Sequence, residues 1–363
     1  MKPKNIKVDG YDFFFWNYEP QTKMKHQVLS EYFLVWAQKL GIASVPCFFD
    51  CHGGSGAYLE DGVPSWGSSI ILAEKAADLY SKYKKRVDFF VCERDSLIYD
   101  NLCKVIAFRK LQNRIFIKNN VFEDVIQGQK PKQYFSTHPT LFFIDPCGYS
   151  IKISDIAYLM SFNRCEVLCN FMYDFINRFI SVDTEEDKFN QLFGCTEWKK
   201  ALTMCNLERE LFIVDLFKKQ IKQLSGAKYV FPYRLSFPDK DRTYYYLFHI
   251  TNHYDGCAIM KSCFATHNYG KVEYAGNRSG IFSFFDMAEV KSEEIETYLA
   301  NRYSGRELTF ERICGEIIDD TMYLEKEVRF ALKSMRNAGK VKTTPVTSKT
   351  HGLSGRDIVR FEV

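Results

Sequence analysis

The sequence lacks the cysteine spacings that would indicate a structural metal or a disulfide framework. It has twelve cysteines, yet no two of them are separated by two residues, the spacing on which most zinc sites depend. The closest pairs, Cys47 with Cys51 and Cys165 with Cys169, lie in apolar segments, where cysteine behaves as a small buried hydrophobe. We therefore expect free thiols, a cytoplasmic protein and no metal site.

Long apolar runs are absent as well. The longest fall far short of the roughly 20 residues that a membrane-spanning helix needs. The first residues, Met1-Lys2-Pro3-Lys4, lack the apolar core of a secretion signal. Hydrophobic residues make up 46% of the chain and charged residues 26%, as in ordinary globular proteins. The net charge of +4 is too small to require a nucleic-acid partner by itself.

Two familiar glycine signatures of nucleotide sites, G-x-G-x-x-G and Gly-Lys-Ser/Thr, are also missing. Instead, the apolar segment ending at Phe48-Phe49 is followed by Asp50-Cys51-His52-Gly53-Gly54-Ser55-Gly56. Glycine at such a turn lets the backbone approach a ligand and lets a helix begin against the sheet. The spacing fits the first motif of S-adenosylmethionine-dependent methyltransferases. The predicted cofactor contacts come from Asp50, His52, Gly53, Gly54 and Gly56.

Further strand candidates follow at helix-length intervals and end in polar residues. They are Val87–Glu93, Ile115–Ile117, Thr140–Ile144 and Cys165–Phe171. This rhythm predicts βαβ units and a doubly wound, mostly parallel α/β sheet. Ligands of such sheets lie beyond the carboxyl ends of the strands, so Glu93, Asp124 and Asp145 should converge on the glycine cluster. Glu93, which ends the second strand, is placed to bind ribose hydroxyls, and Asp124 is a further cofactor candidate.

Short motifs spread along the chain resemble those of one family. They are Lys25-His26 with Tyr32 and Trp36, Asp50 to Gly56, Gly67-Ser68-Ser69, Asp145-Pro146-Cys147-Gly148, Asn170-Phe171, Asn177-Arg178, and Phe193-Gly194 with Trp198. On these motifs the chain resembles the three-Cys-motif partner protein family, which is regarded as methyltransferase-like. The resemblance implies S-adenosylmethionine as cofactor and a partner protein that carries three cysteines. Ser69 and Cys147 depart from the family pattern, which has proline and phenylalanine there.

Lys25 is the strongest cofactor candidate near the N-terminus, because it precedes the first strand and could fold over the cofactor. The chemistry depends on the segment Asp145-Pro146-Cys147-Gly148-Tyr149. In amino-nitrogen methylation of a nucleic-acid base, Asp145, followed by Pro146 of the same catalytic motif, would accept from the exocyclic amine and Tyr149 would stack on the base. In cytosine ring-carbon methylation, Cys147 after Pro146 would be the nucleophile. Both require the base to leave the stack.

We favour the amino-nitrogen chemistry, because the ring-carbon enzymes carry a Glu-Asn-Val triplet that does not follow here. A third hypothesis is a scaffold that keeps the fold, without catalysis, and binds a partner protein or nucleic acid. The acceptor itself, whether DNA, RNA or protein, is left open by the motifs.

The C-terminal region concentrates positive charge. Between Lys333 and Arg360, seven lysines and arginines stand against the single acid Asp357. A short helix capped by Thr309, an amphipathic helix at about 322–337 and two alternating strands predict a winged-helix module. The predicted nucleic-acid contacts are Lys333, Arg336, Lys340, Lys342 and Lys349. The alternatives are a solvated basic face and a protein-docking module.

These patterns predict two domains. Residues 1–288 form a methyltransferase-like domain with a helical insertion at about 183–226, and residues 289–363 form the winged-helix-like module. Tyr229–Phe237 and Tyr244–Thr251 are predicted as an antiparallel pair that ends the parallel sheet, as in methyltransferase folds of this class.

Overall fold

The computed structural model describes residues 3–40, 44–236, 242–266, 272–274, 287–346 and 353–362. The chain divides into two units, Met1–Glu273 and Tyr274–Val363, so the division falls before the predicted boundary at 288. Lys349 and most of the turn predicted after Phe237 lie outside the described residues. Within the described ranges, no helix combines the length and apolar content needed to cross a bilayer.

The strands are β1 (Lys4–Val8), β2 (Tyr11–Asn17), β3 (Cys47–Asp50), β4 (Ala57–Glu60), β5 (Val63–Trp66), β6 (Asp88–Glu93), β7 (Ile115–Asn119), β8 (Thr140–Ile144), β9 (Cys165–Phe171), β10 (Tyr229–Ser236), β11 (Thr243–Thr251), β12 (Val272–Tyr274), β13 (Glu307–Thr309), β14 (Val341–Thr344) and β15 (Ile358–Phe361). The helices are α1 (Pro20–Leu40), α2 (Ser68–Tyr83), α3 (Ser96–Phe108), α4 (Phe122–Ile126), α5 (Gln129–Thr137), α6 (Ile153–Met160), α7 (Tyr173–Phe179), α8 (Glu186–Phe193), α9 (Asn206–Ser225), α10 (Tyr254–Thr266), α11 (Met287–Tyr303), α12 (Phe310–Ile317) and α13 (Glu325–Asn337), with short 3₁₀ helices at Asp183–Glu185 and Glu197–Thr203.

An eight-stranded sheet forms the centre of the first unit, in the order β12-β10-β11-β9-β8-β3-β6-β7. The five strands from β9 to β7 are parallel, whereas β11 is antiparallel to both β9 and β10. The carboxyl ends of the parallel strands lie together at one edge of the sheet. The residues at that edge are Asp50, Glu93, Asn119, the end of β8 and Asn170. The prediction of a mostly parallel doubly wound sheet that ends in an antiparallel pair is confirmed.

The central strands could be predicted from the sequence because they are buried on both faces. Every residue of β8 and β9 is buried, so their sequences are mainly apolar on both faces rather than alternating, although β9 also buries Glu166 and Asn170. Aromatic rings fill much of the space around them: Phe33, Phe48 and Phe89 lie with ring centroids about 6 Å apart. This packing fixes the sheet edge at which the polar residues converge.

A second sheet in the first unit was not predicted. Its order is β1-β2-β4-β5, with β1 and β2 forming one hairpin and β4 and β5 another. The two hairpin turns are Asp9-Gly10 and Asp61-Gly62, and all four residues have positive φ. Asp-Gly with two left-handed residues is the preferred two-residue hairpin turn, because its twist matches that of the strands. These dipeptides are the signal in the sequence that could have revealed the hairpins.

The connection after the glycine cluster also differs from the expectation. The glycine turn was expected to let a helix begin against the sheet, but the β4–β5 hairpin comes first and α2 begins only at Ser68. The two ends of the β4–β5 hairpin lie next to each other, since the Gly67 amide donates to the Gly56 carbonyl at 2.9 Å. The loop and the start of α2 therefore still lie together, as in a direct connection.

Asn101 of α3 joins the second sheet to the glycine loop. Its Nδ2 donates to the carbonyls of Phe14 (3.1 Å) and Ser55 (2.9 Å), and its Oδ1 accepts from the Phe14 amide (2.9 Å). Strand β4 pairs with β2 only at Trp16 and Asn17, so the amide side chain takes the place of a strand partner at Phe14. Buried backbone groups need such partners, which explains a buried asparagine in an apolar helix face.

The second unit contains the helices α11, α12 and α13 and the antiparallel sheet β13-β15-β14, with β13 between α11 and α12 in the chain. Thr309 caps α12 by accepting from the Arg312 amide at 3.2 Å, as predicted. Helix α13 buries Val328, Ala331, Leu332 and Met335, the face predicted from its period. The predicted winged-helix arrangement is confirmed, with β13 as a third strand that was not predicted. The helical insertion at about 183–226 is also helical in the structure.

Replacing Asn101 with Ala should lower the free energy of unfolding by roughly 2–3 kcal/mol, because two carbonyls and one amide lose their partner. Thermal or denaturant unfolding of the full chain measures this. Asp100→Ala, on the same helix at an exposed position, is the matched control and should change stability little. Equal stability of the two variants would contradict the role given to Asn101.

Candidate cofactor and acceptor site

The glycines of the loop after β3 serve different purposes. A Cβ on Gly53 would lie 2.4 Å from Val91 Cγ1, and one on Gly56 would lie 2.5 Å from Leu102 Cδ1. Both positions therefore need glycine for close packing against β6 and α3. Gly54 has φ +61°, and a Cβ there would meet no atom of the described residues within 4 Å. Gly54 is thus the glycine that faces open space.

Glu93 ties this loop to the end of the neighbouring strand. Its Oε2 accepts from the Gly54 amide and its Oε1 from the Asp95 amide, each at 2.9 Å. A carboxylate oxygen can accept two hydrogen bonds, so each oxygen keeps capacity for a further donor. Helix α3 is capped by Asp95, whose Oδ1 accepts from the Leu97 and Ile98 amides. Glu93 is therefore not the cap of that helix.

Asp50 is fully buried and holds the glycine loop and the start of α2 together by hydrogen bonds. It accepts from Ser68 Oγ (2.8 Å), Ser69 Oγ (2.5 Å) and the His52 amide (3.2 Å). Burial raises the pKa of Asp50 to about 6, although the hydrogen bonds from Ser69, Ser68 and His52 oppose this. Ser69 thus supplies one of the two hydroxyl donors to the Asp50 carboxylate. The structure thus places Asp50 as an organiser of the loop.

His52 and Asp124 lie on the side of the loop toward α4. The centroids of the His52 and Phe122 rings lie 5.2 Å apart. Burial lowers the pKa of His52 to about 4. Its Nδ1 is buried and has no hydrogen-bond partner among the described residues. Asp124 is exposed in the first turn of α4 and makes no hydrogen bond or ion pair within the described ranges. His52 is therefore the better placed of the two for a ligand.

Asp145, directly after β8, is held by residues from two other elements. Lys25 Nζ of α1 donates to its Oδ2 at 2.5 Å, and Asn170 Nδ2 at the end of β9 donates to its Oδ1 at 2.6 Å. The Lys25 side chain is 6% exposed and that of Asp145 is 20% exposed. The ammonium also lies over the rings of Tyr245 (5.6 Å) and Phe143 (5.9 Å). Lys25 is thus the partner of Asp145 in the structure.

The ion pair sets the charge state of Asp145. Burial by itself would raise the pKa of Asp145, but the Lys25 charge and the hydrogen bonds from Lys25 and Asn170 outweigh it, so the pKa lies below its usual value. His26 beside the pair shares a hydrogen bond with Tyr18 Oη through Nδ1 at 2.8 Å. Burial and the Lys25 charge lower the pKa of His26 to about 3. The edge therefore holds an ionised carboxylate, a paired ammonium and a neutral imidazole.

The rest of the Asp145 motif turns away from the strand. Pro146 is buried, Cys147 is exposed and Gly148 has φ +100°. This turn carries Tyr149 onto the helical insertion. There its ring stacks on Phe189 at 5.1 Å and its hydroxyl donates to Glu185 Oε2 at 2.6 Å.

Sequence reasoning assigned no role to Asn170, Asn101, Ser68 or Tyr245, all of which organise this edge. Asn170 and Glu166 are the polar residues of the buried strand β9, and the position of Asn170 next to the carboxyl end of the strand is the signal that singles it out. Its Oδ1 is buried and lacks a partner in the part of the chain that the structure describes. The sheet edge thus carries one unsatisfied acceptor beside the Asp145 carboxylate.

The predicted nucleic-acid residues lie in the second unit, where Lys333, Arg336, Lys340 and Lys342 are exposed. Lys340 Nζ lies 3.8 Å from Glu296 Oε2, and Lys342 Nζ lies 3.3 Å from Glu362 Oε1. Lys333 makes no ion pair among the described residues. Part of the predicted basic face is therefore locally neutralised, and the remaining positive charge is concentrated on α13.

Strand order and site together define the class of protein. The central sheet is doubly wound and ends in an antiparallel pair. A glycine loop follows β3, and the Glu93 carboxylate stands at the end of β6. This arrangement is the fold of class I methyltransferases. The second unit is a winged-helix domain. The chain therefore combines a methyltransferase-type fold with a winged-helix module.

Comparison with known proteins gives one family match and several structural neighbours. Residues 273–348 match a family model described as a GMT-like wHTH domain. No curated protein matches the chain. Protein LPL1258 from Legionella pneumophila is 13% identical over 69% of this chain and 95% of that one, with a TM-score of 0.40. P. horikoshii TYW2, in complex with MeSAdo, is 9% identical over 69% and 72%, with a TM-score of 0.35. The human methyltransferase 10 domain containing protein is 12% identical over 62% and 82%, with a TM-score of 0.31.

Replacing Lys25 with Met should lower the free energy of unfolding at neutral pH by roughly 3 kcal/mol, because Asp145 is left buried without its cation. In the wild type the lowered pKa of Asp145 contributes stability above the ordinary pKa of aspartate, and this is lost as the pH falls through the lower folded value. Without Lys25, burial should instead raise the pKa. The difference between wild type and variant should therefore shrink as the pH falls toward about 3. Unfolding curves at several pH values measure it.

Lys39→Met is the matched control. Lys39 lies on the same helix and pairs with Asp255 at 2.8 Å, but both side chains are more than half exposed. An exposed pair contributes at most about 1 kcal/mol, so this variant should stay close to wild type at every pH. Equal, pH-independent losses in the two variants would show that Lys25 does not control the ionisation of Asp145.

Proposed function

We propose that the chain is an S-adenosylmethionine-dependent methyltransferase that modifies an exocyclic amine of a nucleic-acid base. The observation that carries the proposal is the Asp145 carboxylate, which is held ionised between Lys25 and Asn170 at the sheet edge that also presents the glycine loop. Bound S-adenosylmethionine would supply an electrophilic methyl group on a sulfonium. The chain's residues then have to bind that cofactor, orient the amine and accept its proton.

Three features on the loop side support cofactor binding. Gly54 leaves space where any side chain would project, Glu93 keeps hydrogen-bonding capacity for hydroxyl donors, and His52 Nδ1 is a buried atom without a partner among the described residues. An acid at the end of the second strand binds ribose hydroxyls in doubly wound folds. Gly53, Gly56 and Asp50 would hold the loop without touching the cofactor. Asp124 is the weakest member of the proposed set, since it is exposed in α4.

Two acceptors on the other side support an amine as substrate. Each Asp145 oxygen accepts one hydrogen bond from the protein and can accept another, so an amine can bind without displacing Lys25 or Asn170. Asn170 Oδ1 is the second acceptor. As the nitrogen gains a methyl group it becomes positively charged, and a fixed carboxylate stabilises that charge. Pro146 would hold the turn in place and Tyr149, stacked on Phe189, would anchor it to the insertion.

The winged-helix unit supports a nucleic acid as the substrate. Such modules place a helix against the duplex, and α13 with its exposed Lys333 and Arg336 is the corresponding helix. A base can reach Asp145 only after leaving the stack. Lys340, Lys342 and Lys349 remain proposed phosphate contacts. The resemblance to the three-Cys-motif partner family adds a second protein as a proposed partner.

Cytosine ring-carbon methylation is the second candidate, because Cys147 is exposed directly after Pro146. In that chemistry the thiolate adds to the ring and the base is held covalently until the methyl group has been transferred. A catalytically inactive scaffold is the third.

Gly54→Ala should weaken binding of S-adenosylhomocysteine strongly, because the new methyl group projects into the space assigned to the cofactor. Calorimetric titration of the full chain measures the affinity. Gly62→Ala is the control: this glycine also has positive φ and open surroundings, but it lies in the β4–β5 turn. Both variants should lose roughly 1–2 kcal/mol of stability from the left-handed backbone. If only stability changes in Gly54→Ala, the cofactor does not bind there.

Asp145→Ala should reduce transfer of a labelled methyl group to DNA or RNA by roughly 100-fold or more, because the charge that develops on the amine loses its partner. S-adenosylhomocysteine should still bind, since the loop side is unchanged. Cys147→Ser should keep most of the activity.

The reverse pattern would identify ring-carbon methylation: Cys147 essential, and the protein trapped covalently by a fluorinated cytosine. Absence of transfer to DNA, RNA or protein, with the candidate partner protein present and S-adenosylhomocysteine bound, would support the scaffold.

A further inference from the structure

Helix α13 carries the most exposed aromatic side chain among the described residues. Phe330 is 63% exposed, whereas Tyr303, Phe310 and Phe361 in the same unit are at most 2% exposed. A phenylalanine that stays in water adds little buried area to the fold, and it forms helix less well than alanine or lysine. The stability of α13 therefore does not explain the presence of this residue.

Phe330 lies at the centre of the face that α13 turns away from its core. The opposite face is the buried one, formed by Val328, Ala331, Leu332 and Met335. Lys326 stands four residues before Phe330 and Lys333 three residues after it, and side chains at these spacings are neighbours on a helix. The outer face of α13 thus has an apolar centre between two cations.

The two lysines keep their charge available for an anion. Both are exposed, and neither makes an ion pair among the described residues. Arg329, the next cation along the helix, is used within the unit instead, since it pairs with Glu325 at 2.7 Å and lies over the Phe310 ring at 4.3 Å. A face of this kind complements a polyanion that also exposes apolar groups, and nucleic acids have both properties.

Groove geometry narrows the ligand further. The major groove of B-form DNA is about 12 Å wide and admits an α-helix, whereas the major groove of an RNA duplex is too narrow for side chains to read. The base edges in the DNA major groove present hydrogen-bond donors and acceptors and one apolar group, the C5-methyl group of thymine. A phenyl ring forms no conventional hydrogen bond, so this methyl group is the partner that suits Phe330.

We infer that Phe330 recognises thymine in duplex DNA through apolar contact with the C5-methyl group, while Lys326 and Lys333 bind the flanking phosphates. The inference rests on the proposed function in one respect, that a nucleic acid is the ligand of the second unit. It adds the kind of nucleic acid and a sequence preference, which phosphate contacts alone do not give. Phe330 is thus a specificity-determining residue of the winged-helix unit.

The test is selection of bound sequences from a randomised DNA duplex library by the full chain, followed by anisotropy titration of the enriched duplex. Wild type should enrich thymine at a defined position, and Phe330→Ala should not. Replacing that thymine with deoxyuridine removes only the methyl group. This replacement should weaken binding by wild type about fourfold, the effect of exposing one buried methyl group. It should leave binding by Phe330→Ala unchanged, and Phe330→Leu, which keeps an apolar side chain, should retain the thymine preference.

Phe116→Ala is the matched control. Phe116 is 61% exposed, but it lies on β7, the edge strand of the central sheet in the first unit. This variant should keep the affinity and the thymine preference of wild type. The double variant Lys326→Gln, Lys333→Gln separates phosphate binding from base recognition. It should bind all duplexes more weakly, and its slope of log K against log salt should be shallower by about 0.9 for each phosphate no longer neutralised. The response to deoxyuridine should remain.

The absence of thymine enrichment by wild type would overturn the inference, as would an equal response of wild type and Phe330→Ala to deoxyuridine. Loss of the preference in Phe116→Ala would also overturn it. If Phe330→Ala instead lost binding to a three-Cys-motif partner protein and kept its DNA affinity and thymine preference, the outer face of α13 would be a protein-docking surface. A wild type that prefers thymine in this way but binds no S-adenosylhomocysteine and transfers no methyl group would overturn the proposed function alone.

Discussion

The Lys25–Asp145 ion pair is the interaction on which the functional edge of this protein depends. It connects α1 to the end of β8, and Asn170 extends the connection to β9. A lysine that is 6% exposed is tolerated only because the carboxylate and two aromatic faces surround its ammonium. In return the carboxylate stays ionised in a buried setting. The ion pair thus sets the charge state of Asp145 and adds a polar contact between α1 and the end of β8.

The glycine loop shows a similar division of roles. Gly53 and Gly56 are required by packing, Gly54 faces open space, and Asp50 and Glu93 hold the backbone between them. Asp50 contributes through the hydroxyls of Ser68 and Ser69. Ser69 thus has a clear physical role as a hydroxyl donor to Asp50. The loop is therefore built as a rigid platform on which one position is left for a ligand.

Prediction from the sequence succeeded for the strands of the central sheet, but it missed two local hairpins and the interactions that join distant residues. The strands that became β6, β8 and β9 were found because strands buried on both faces have mainly apolar sequences. The hairpins at Asp9-Gly10 and Asp61-Gly62 were missed although both turns carry a local signal. The role of Asn101 could not have been predicted, because its three hydrogen bonds reach Phe14 in the second sheet and Ser55 in the glycine loop, both distant in the sequence. Tyr149, predicted to stack on a base, packs its ring on Phe189, a contact that the sequence analysis did not predict.

The sequence by itself determined the positions of the parallel strands along the chain, the winged-helix C-terminal unit and the sheet edge at which polar residues gather. These follow from the period and length of apolar segments, which are local properties. Only the tertiary structure decided what the polar residues do there. Lys25 and Asp145 are 120 positions apart, and Asn101 and Phe14 are 87 positions apart. Ion pairs and hydrogen bonds depend on distances of a few ångströms, and those are set only when the helices pack on the sheet.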